Sequence, residues 1–428
     1  MQVFRPRIAI AGGGPSGLAL GLLLSRRDIP TTIYDLRRPP TPQLLAKPSG
    51  MLDLHQESGL KTIRECGLWE SFQAALGDCS EATRVLNKDG DVLYTDEGEL
   101  AYRPEIPRNS LTNMLVQSLP QDTIKWNKKI TAAHSARSAT TGATEVTLHF
   151  GSNETATFDF VVGADGAWSR VRKLLSEVKP LYSGVYNLTV TLRNASTKYP
   201  HLAELNGSGS LIALGDRNGI MTHRGPQDSI RVYGAITTPD EKWPITAGLH
   251  RKSAAELKDA LLGNNDLFGG WAPPLQHLLA TACDEQTRDN PIPPDTDSHD
   301  PDLLQPLYML PVGYRWQHRT GVTLVGDAAH LMTPFAGEGV NLALWDALDL
   351  SRVLSGFSEA KDAAEWQEML DPRVREFEEA MQRRAAEKAE ETARNKDMLL
   401  SENGAQALAD TFNMFRDMKA AGASPEGH

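Results

Sequence analysis

Arg7-Ile8-Ala9-Ile10-Ala11-Gly12-Gly13-Gly14-Pro15-Ser16-Gly17-Leu18 is the stretch that decides the fold. Its isoleucines and alanines form a short apolar run that stops at glycine, the pattern of a buried strand. Leu18 to Leu24 then reads as a helix packed on that strand, and Thr31-Thr32-Ile33-Tyr34 as a second strand ending at Asp35. Strand, glycine turn, helix, strand and acid make one βαβ unit. Within it Gly12, Gly14 and Gly17 fit G-x-G-x-x-G. The first permits a tight turn, the second lets backbone approach a pyrophosphate, and the third lets the helix lie close on the strand. The helix opening at Pro15 and Ser16 presents free N–H groups and a partial positive charge of roughly half a unit. Asp35, roughly twenty residues on, has the carboxylate that accepts both ribose hydroxyls of an adenosine half. Leu36 and Arg37 adjoin it and join the cofactor-binding set.

The rest of the composition narrows the choices. At 428 residues the chain is long enough for two or three domains. A net charge of −11 argues against a nucleic-acid partner, which needs a basic face. Cys66, Cys79 and Cys283 are far apart and form no CxxC pair. Neither a disulfide framework nor a metal site follows, and a reducing, cytoplasmic compartment is expected. Arg5 and Arg7 before Ile8 to Leu24 superficially suggest a signal peptide, but the glycines and Pro15 would break its helix. No run of ~18 apolar residues is available to span a bilayer.

Further along, Arg37 to Pro48 reads as loop and Leu111 to Leu119 as helix. Val146 to Phe150 and Thr157 to Val162 alternate like a hairpin, and Phe160-Val161-Val162 runs into Gly163. From about Tyr182 to Ile236, short alternating runs broken by glycine and asparagine predict an antiparallel sheet in a second domain. Asp289 to Gln305, rich in proline and aspartate, reads as a linker back, and Val322 to Val325 as another buried strand. From Glu359 the chain reads as charged helix, with Val374, Phe377, Met381 and Ala385 packing and Glu378, Glu379, Arg383 and Arg384 facing water. Ala420 to His428 has a disorder-like composition, and no internal repeat is visible. The expected class is α/β. A discontinuous dinucleotide-binding domain takes residues 1–70, 101–181 and 306–355. An antiparallel-sheet substrate domain takes 71–100 and 182–305, and a C-terminal helical segment takes 356–428.

Two more motifs carry chemistry. Asp165-Gly166 ends a buried strand and turns into a basic helix carrying Arg170-Val171-Arg172, which suits either a nucleotide edge or a plain turn. The specific segment is Gly326-Asp327-Ala328-Ala329-His330-Leu331-Met332-Thr333-Pro334-Phe335-Ala336-Gly337-Glu338-Gly339-Val340-Asn341. Asp327 ends a strand, where it can accept a hydrogen bond from a polyol hydroxyl. Pro334, Gly337 and Gly339 form a loop that keeps side chains away from a flat ring. Val340-Asn341 opens a helix whose N-terminus suits a ring edge that becomes anionic on reduction. His330 reads more readily as a structural histidine.

Taken in order, GGGPSGL, GADGAWSRVR and GDAAHLMTPFAGEGVN resemble the class A flavoprotein monooxygenases, the aromatic-hydroxylase group, over nearly the whole chain to Leu354. Within that group Gly50 to His55, Pro107 to Leu111 and Thr238 to Trp243 are similar to the tetracycline-inactivating flavin monooxygenases. The resemblance implies a Rossmann-like FAD domain of the glutathione-reductase and para-hydroxybenzoate-hydroxylase type. It implies FAD, NADPH or NADH as co-substrate, and O2. Oxygen adds at the flavin C4a, and the hydroperoxide passes one atom to an electron-rich carbon of a small phenolic, polycyclic or enolic compound. It further implies that Asp35 holds the adenosine ribose, that Arg108 and Asp327 hold FAD, and that Asp53 lies near the isoalloxazine. The loop of Pro334, Phe335, Ala336 and Gly337 then sits beside the reactive edge. Because the cofactor dominates, no protein acid or base is strictly required.

The sequence also departs from that pattern. Thr333 stands where the group often has a first proline. Thr189, Ser210 and Arg231 align where the tetracycline enzymes use glutamine, arginine and histidine, which points to a different anionic or enolic substrate that Arg231 pairs. Substrate candidates are Thr189, Met221, Arg231, Phe335, Ala336, Gly337 and Met398, with core packing the competing role for Met221 and Met398. No second G-x-G-x-x-G unit and no redox cysteine pair is present, unlike in disulfide reductases. Two alternatives stay open: a flavin-dependent reductase or dehydrogenase that does not use O2, and a non-catalytic flavoprotein that binds a partner through its acidic helices. A monomer or weak homodimer is expected.

Overall fold

Ile8–Ala11 is a strand buried at every position, and in the computed structural model it occupies the centre of a five-stranded parallel sheet. The structure describes residues 4–45, 49–76, 80–98, 103–151, 153–289, 303–356 and 360–421. The strand order is Val322–Leu324, Phe160–Gly163, Ile8–Ala11, Thr31–Tyr34 and Ile124–Lys125. Short, fully apolar runs suit such a sheet because both faces are covered. The helices Pro15–Ser25 and Gly339–Val353 pack against each other, and the first is buried from Ser16 to Leu24. The two glycine segments are thus carried by neighbouring helices although far apart in sequence.

Thr144–Phe150 and Thr155–Phe158 form the expected hairpin, with Ile130–Arg137 as third strand. Phe160–Gly163 does not continue that hairpin and joins the parallel sheet. Buried Asp159 accepts the Arg7 backbone N–H at 2.7 Å and turns the chain there. The basic helix expected after Asp165 is only a single 3-10 turn, Arg172–Leu174. Asp165 binds the Ser169 hydroxyl and the Arg170 N–H, so the chain stays in turns.

The second sheet has seven strands, ordered Leu304–Met309, Leu181–Leu192, Ser229–Thr237, Asn218–Gly225, Ser210–Gly215, Thr83–Asn87 and Val92–Asp96. All neighbours are antiparallel except Ser210–Gly215 with Thr83–Asn87. One face, with Leu188, Val190, Ile220, Ile230 and Val232, packs into a core with the helices Ala254–Leu262 and Pro273–Asp289. The boundary expected between 305 and 306 falls inside Leu304–Met309, which pairs with Leu181–Leu192. The chain therefore leaves this sheet only after Met309. Most of the anticipated linker, 290–302, and most of the anticipated tail, 422–428, lie outside the described residues.

Ala363–Leu399 is one helix of 37 residues, capped by Asp362, whose side chain accepts the Glu365 N–H. Val374, Phe377, Met381 and Ala385 are buried as the periodicity demands. Glu379 and Arg383 face water, but Glu378 is 2 % exposed and Arg384 is half-buried. Both point inward because partners wait there: His318 and Thr323 for Glu378, and Asp346 and Asp349 for Arg384. Among the described residues no helix is long and apolar enough to cross a membrane, and no cluster of His, Cys, Asp or Glu could hold a metal ion.

His318 bolts this helix to the parallel sheet. Its Nδ1 lies 2.9 Å from Glu378 and its Nε2 3.4 Å from Asp371. Burial pushes the imidazole pKa down, but the two carboxylates outweigh it and raise it to about 9. A folded-state pKa raised above 6.5 adds stability that is complete below pH 6.5 and is lost as pH rises through about 9. The change amounts to about 3 kcal/mol. Urea unfolding across that window should show this decline, and His318→Gln should flatten it. An equal slope in both proteins would remove His318 as its source.

Candidate active site

The first glycine turn is shaped by contacts that leave no choice at two positions. Gly12 has φ +108, and a Cβ there would lie 2.1 Å from the Ala164 carbonyl oxygen. A Cβ on Gly17 would lie 2.1 Å from the Gly12 oxygen. At Gly14, by contrast, a Cβ would meet nothing within 4 Å. That position opens the helix Pro15–Ser25, which has no side-chain cap and no acid in its first turn. Free N–H groups therefore face open space, an arrangement suited to an anion.

Asp35 closes this end. Its carboxylate accepts the Gly13 N–H at 2.7 Å, the Arg37 N–H at 2.7 Å and the Arg37 guanidinium at 2.8 and 2.9 Å. Burial pushes the carboxyl pKa up, but Arg37 and the backbone donors win and hold it below the usual range. Leu36 is exposed beside it.

The second segment meets the first. A Cβ on Gly326, where φ is +59, would lie 2.9 Å from Ser16 Oγ. The next residue, Asp327, is exposed and has no hydrogen-bond or ion-pair partner among the described residues. Its turn is anchored from beneath by Asp346, which is 0 % exposed. Asp346 Oδ2 accepts the Gly326 N–H at 3.0 Å and lies 2.6 Å from His330 Nε2. His330 is thus structural, as its sequence context suggested. Asp165, half-buried, binds within its own turn, and Arg172 ties that turn to the Ala328 and Ala167 carbonyls.

Pro334–Ala336 is a single 3-10 turn closed by Gly337 at φ +68. A Cβ on Gly337 would lie 3.2 Å from the Asp53 carboxylate, whereas one on Gly339 would meet nothing within 4 Å. Asn341 fastens the loop to the Asp53 strand: its Nδ2 donates to the Asp53 and Gly337 carbonyls, and its Oδ1 accepts the His55 N–H. His55 Nε2 lies 3.1 Å from Asp53 and its Nδ1 3.5 Å from Glu338, which Lys388 clamps at 2.6 Å. The long helix grips the same loop elsewhere. Thr392 donates to the Thr333 carbonyl and Asn395 to that of Phe335. Val340, at the start of Gly339–Val353, packs on the core.

The other face of the seven-stranded sheet turns toward this loop. Its cross-strand rows are Thr191, Arg231, His223 and Ser210, then Thr189, Tyr233, Met221 and Ile212. Side chains here are mostly half-exposed, while their neighbours on each strand are buried. Arg231 donates to Thr191 Oγ1 at 2.8 Å, and its buried Nε has no partner. A Cβ on Gly50 would lie 3.1 Å from the Tyr233 hydroxyl. The Arg108 N–H donates to the Gly50 carbonyl, and burial raises the Tyr233 pKa against the pull of Arg231 and of the exposed Arg108. Met221 and Met398, both half-buried, pack with Phe335 against one apolar cluster around Leu214 and Leu399. Ala336 is half-buried within the turn.

The structure brings Gly326 to Ser16, Gly337 to Asp53, Gly50 to Tyr233 and Met221 to Phe335. His223, Tyr233, Glu105 and Asp346 join the site or its support without standing in any motif. Only Tyr233 left a signal, since it alternates with Arg231 on one strand. The open space at Gly14 and Gly339, the uncapped helix end and the unpartnered Asp327 together fit a dinucleotide with a polyol linker and a flat ring.

A family model described as FAD binding domain matches residues 5–243 and 312–393. The monooxygenase penA of Penicillium thymicola is 35% identical over 95% of this chain and 98% of its own. The monooxygenase asqM of Emericella nidulans is 33% identical over 94% and 97%. Klebsiella pneumoniae HpxO, solved with FAD and uric acid, superposes with a TM-score of 0.72 over 98% of both chains at 18% identity. The tetracycline destructase Tet(55) superposes with a TM-score of 0.65 over 99% of both chains at 16% identity, a likeness of fold.

Proposed function

Since the chain belongs to the FAD binding domain family and is a class A FAD-dependent monooxygenase, we propose that it hydroxylates a small phenolic or enolic compound of aromatic or polycyclic build. The single observation that carries this substrate class is Arg231. It is a guanidinium on a half-exposed face, with one buried nitrogen unpartnered and Tyr233 beside it. An oxyanion or enolate would complete that site. Relatives of the chain include a 6-methylsalicylate 1-monooxygenase and a 6-hydroxynicotinate 3-monooxygenase, which supports a ring bearing an acidic hydroxyl. Nothing on this face favours tetracycline itself.

Bound FAD, reduced by NAD(P)H, supplies the activation of O2. The chain's residues do the rest. In this reading Asp35, Leu36 and Arg37 hold the adenosine end. Gly12, Gly14, Pro15, Ser16 and Gly17 take the pyrophosphate, Asp327 accepts a ribityl hydroxyl, and Arg108 and Asp53 flank the ring. Pro334, Gly337, Gly339, Val340 and Asn341 line its edge, where the helix Gly339–Val353 stabilises negative charge. Phe335, Ala336 and Met221 exclude water from the oxygen transfer, and Thr189 and Arg231 orient the substrate. Asp165 acts through its turn. Residues 1–70, 101–181 and 310–355 serve the cofactor, 71–100 and 182–309 serve the substrate, and the helices Ala363–Leu399 and Gly404–Ala420 brace both. Cys66 and Cys283, both free and buried, support a reducing, cytoplasmic setting, and a monomer or weak homodimer belongs to the same proposal.

A screen of phenolic and polycyclic compounds for stimulated NADPH oxidation, with product mass read for one added oxygen, tests this reading. With any compound so found, Arg231→Ala should raise KM about tenfold or more, the worth of a hydrogen bond to a charged group. Substrate-free NADPH oxidation should not change. An unaltered KM would take Arg231 out of the site.

A further inference from the structure

We propose that His223 is the proton acceptor for the substrate's hydroxyl, held ready by one residue from each sheet region it bridges. The proposal rests on the phenolic or enolic reading above and names the group that acts on that substrate.

His223 stands on Asn218–Gly225, opposite Ser210 on one side and Arg231 on the other. Its Nδ1 lies 3.1 Å from Ser210 Oγ and 3.7 Å from Glu105 Oε1. Glu105 belongs to the cofactor side, where it pairs with Asp53 across the strands Glu105–Pro107 and Met51–Asp53. The imidazole is therefore assembled only where the two halves of the site meet. Donation from Nδ1 to Ser210 Oγ, with the Glu105 carboxylate near, is the tautomer that leaves a lone pair on Nε2. Nε2 has no partner among the described residues. The side chain is 36 % exposed, on the half-exposed face.

The groups that face the ring set its basicity. Glu105 and Asp53 favour its cation. Arg231 neighbours it in register, and the Tyr233 ring lies edge-on at 6.2 Å. Burial lowers the pKa of His223, the carboxylates raise it, and the net direction is upward. The substrate O–H bond breaks, its proton goes to Nε2, and the electron pair stays on oxygen. Glu105 then faces the imidazolium, while Arg231 pairs the new oxyanion. The oxyanion feeds electron density into the ring carbons that accept the oxygen atom, and His223 returns the proton to the departing product.

The test uses FAD-loaded enzyme and 4-nitrophenol, whose anion is coloured, followed by difference spectra across pH. On the wild type, the bound phenol should ionise at lower pH than on His223→Gln. The gap should be about one pH unit, a tenfold change in the ionised ratio. Glu105→Gln should give an intermediate result, and it decides the matter if His223→Gln fails to hold FAD. Equal ionisation on wild type and variants, or a phenol bound neutral by the wild type, overturns the role of His223 alone. A wild type that binds no phenol at all overturns the substrate class on which the role rests.

Discussion

Alanine at Gly14 is expected to leave the melting temperature of the apoprotein unchanged and to weaken its hold on FAD. Gly14 has φ −73 and ψ 178, a backbone conformation that any residue adopts. Its new methyl would meet no protein atom within 4 Å. Any loss must then come from a ligand that needs the space. A methyl forced into a packed contact costs about 1–3 kcal/mol. That is roughly a tenfold to hundredfold weaker Kd for FAD. The neighbouring glycines cannot make this distinction. At Gly12 and Gly17 the methyl would strike a backbone oxygen of the protein itself at 2.1 Å, so the fold would fail with the ligand. Thermal melts of apoprotein and FAD titration by flavin fluorescence separate the two effects. A Gly14→Ala protein that binds FAD like wild type would move the pyrophosphate away from this helix.

The contrast between Gly14 and Gly17 also shows what a sequence discloses. The βαβ unit was legible because each of its parts is local: an apolar run, a glycine turn, an apolar helix and an acid at fixed spacing. The segment from Gly326 to Asn341 was legible for the same reason, and so was the alternation that puts Arg231 and Tyr233 on one face. What stayed hidden depends on partners brought from afar. Glu378 and Arg384 look like solvated positions on a charged helix, and only His318 and Asp346 draw them inward. His223 becomes distinctive only when Glu105, from a strand in another sheet, arrives beside Nδ1. The helix expected after Asp165 failed because local side-chain hydrogen bonds to Ser169 and Arg170 compete with helix formation. The boundary at 305 failed because a proline-rich composition marks a linker but not the residue at which pairing resumes.

Asp346→Ala should produce the largest loss of stability. The carboxylate is fully buried and serves three partners: the Gly326 N–H, His330, and Arg384 at 3.6 Å. Burial lowers the pKa of His330, but Asp346 outweighs it and the net shift is upward. Removing the acid leaves Arg384, whose Nε and Nη2 already lack hydrogen bonds, with Asp349 alone at 3.2 Å, strips buried His330 of its carboxylate and orphans a buried backbone donor. Breaking a buried pair in this way costs about 3–5 kcal/mol. Asp346→Asn keeps an oxygen for Gly326 but drops the charge, so it should fall between. Urea unfolding of the apoprotein reads both. FAD affinity should fall as well, through position and not through contact, because Gly326 at φ +59 sets where Asp327 stands. A double-mutant cycle tests that path. In an Asp327→Ala background, Asp346→Asn should no longer weaken FAD binding, although it should still cost stability. If its effect on FAD persisted undiminished, Asp346 would be acting on the cofactor by some route other than the turn it anchors.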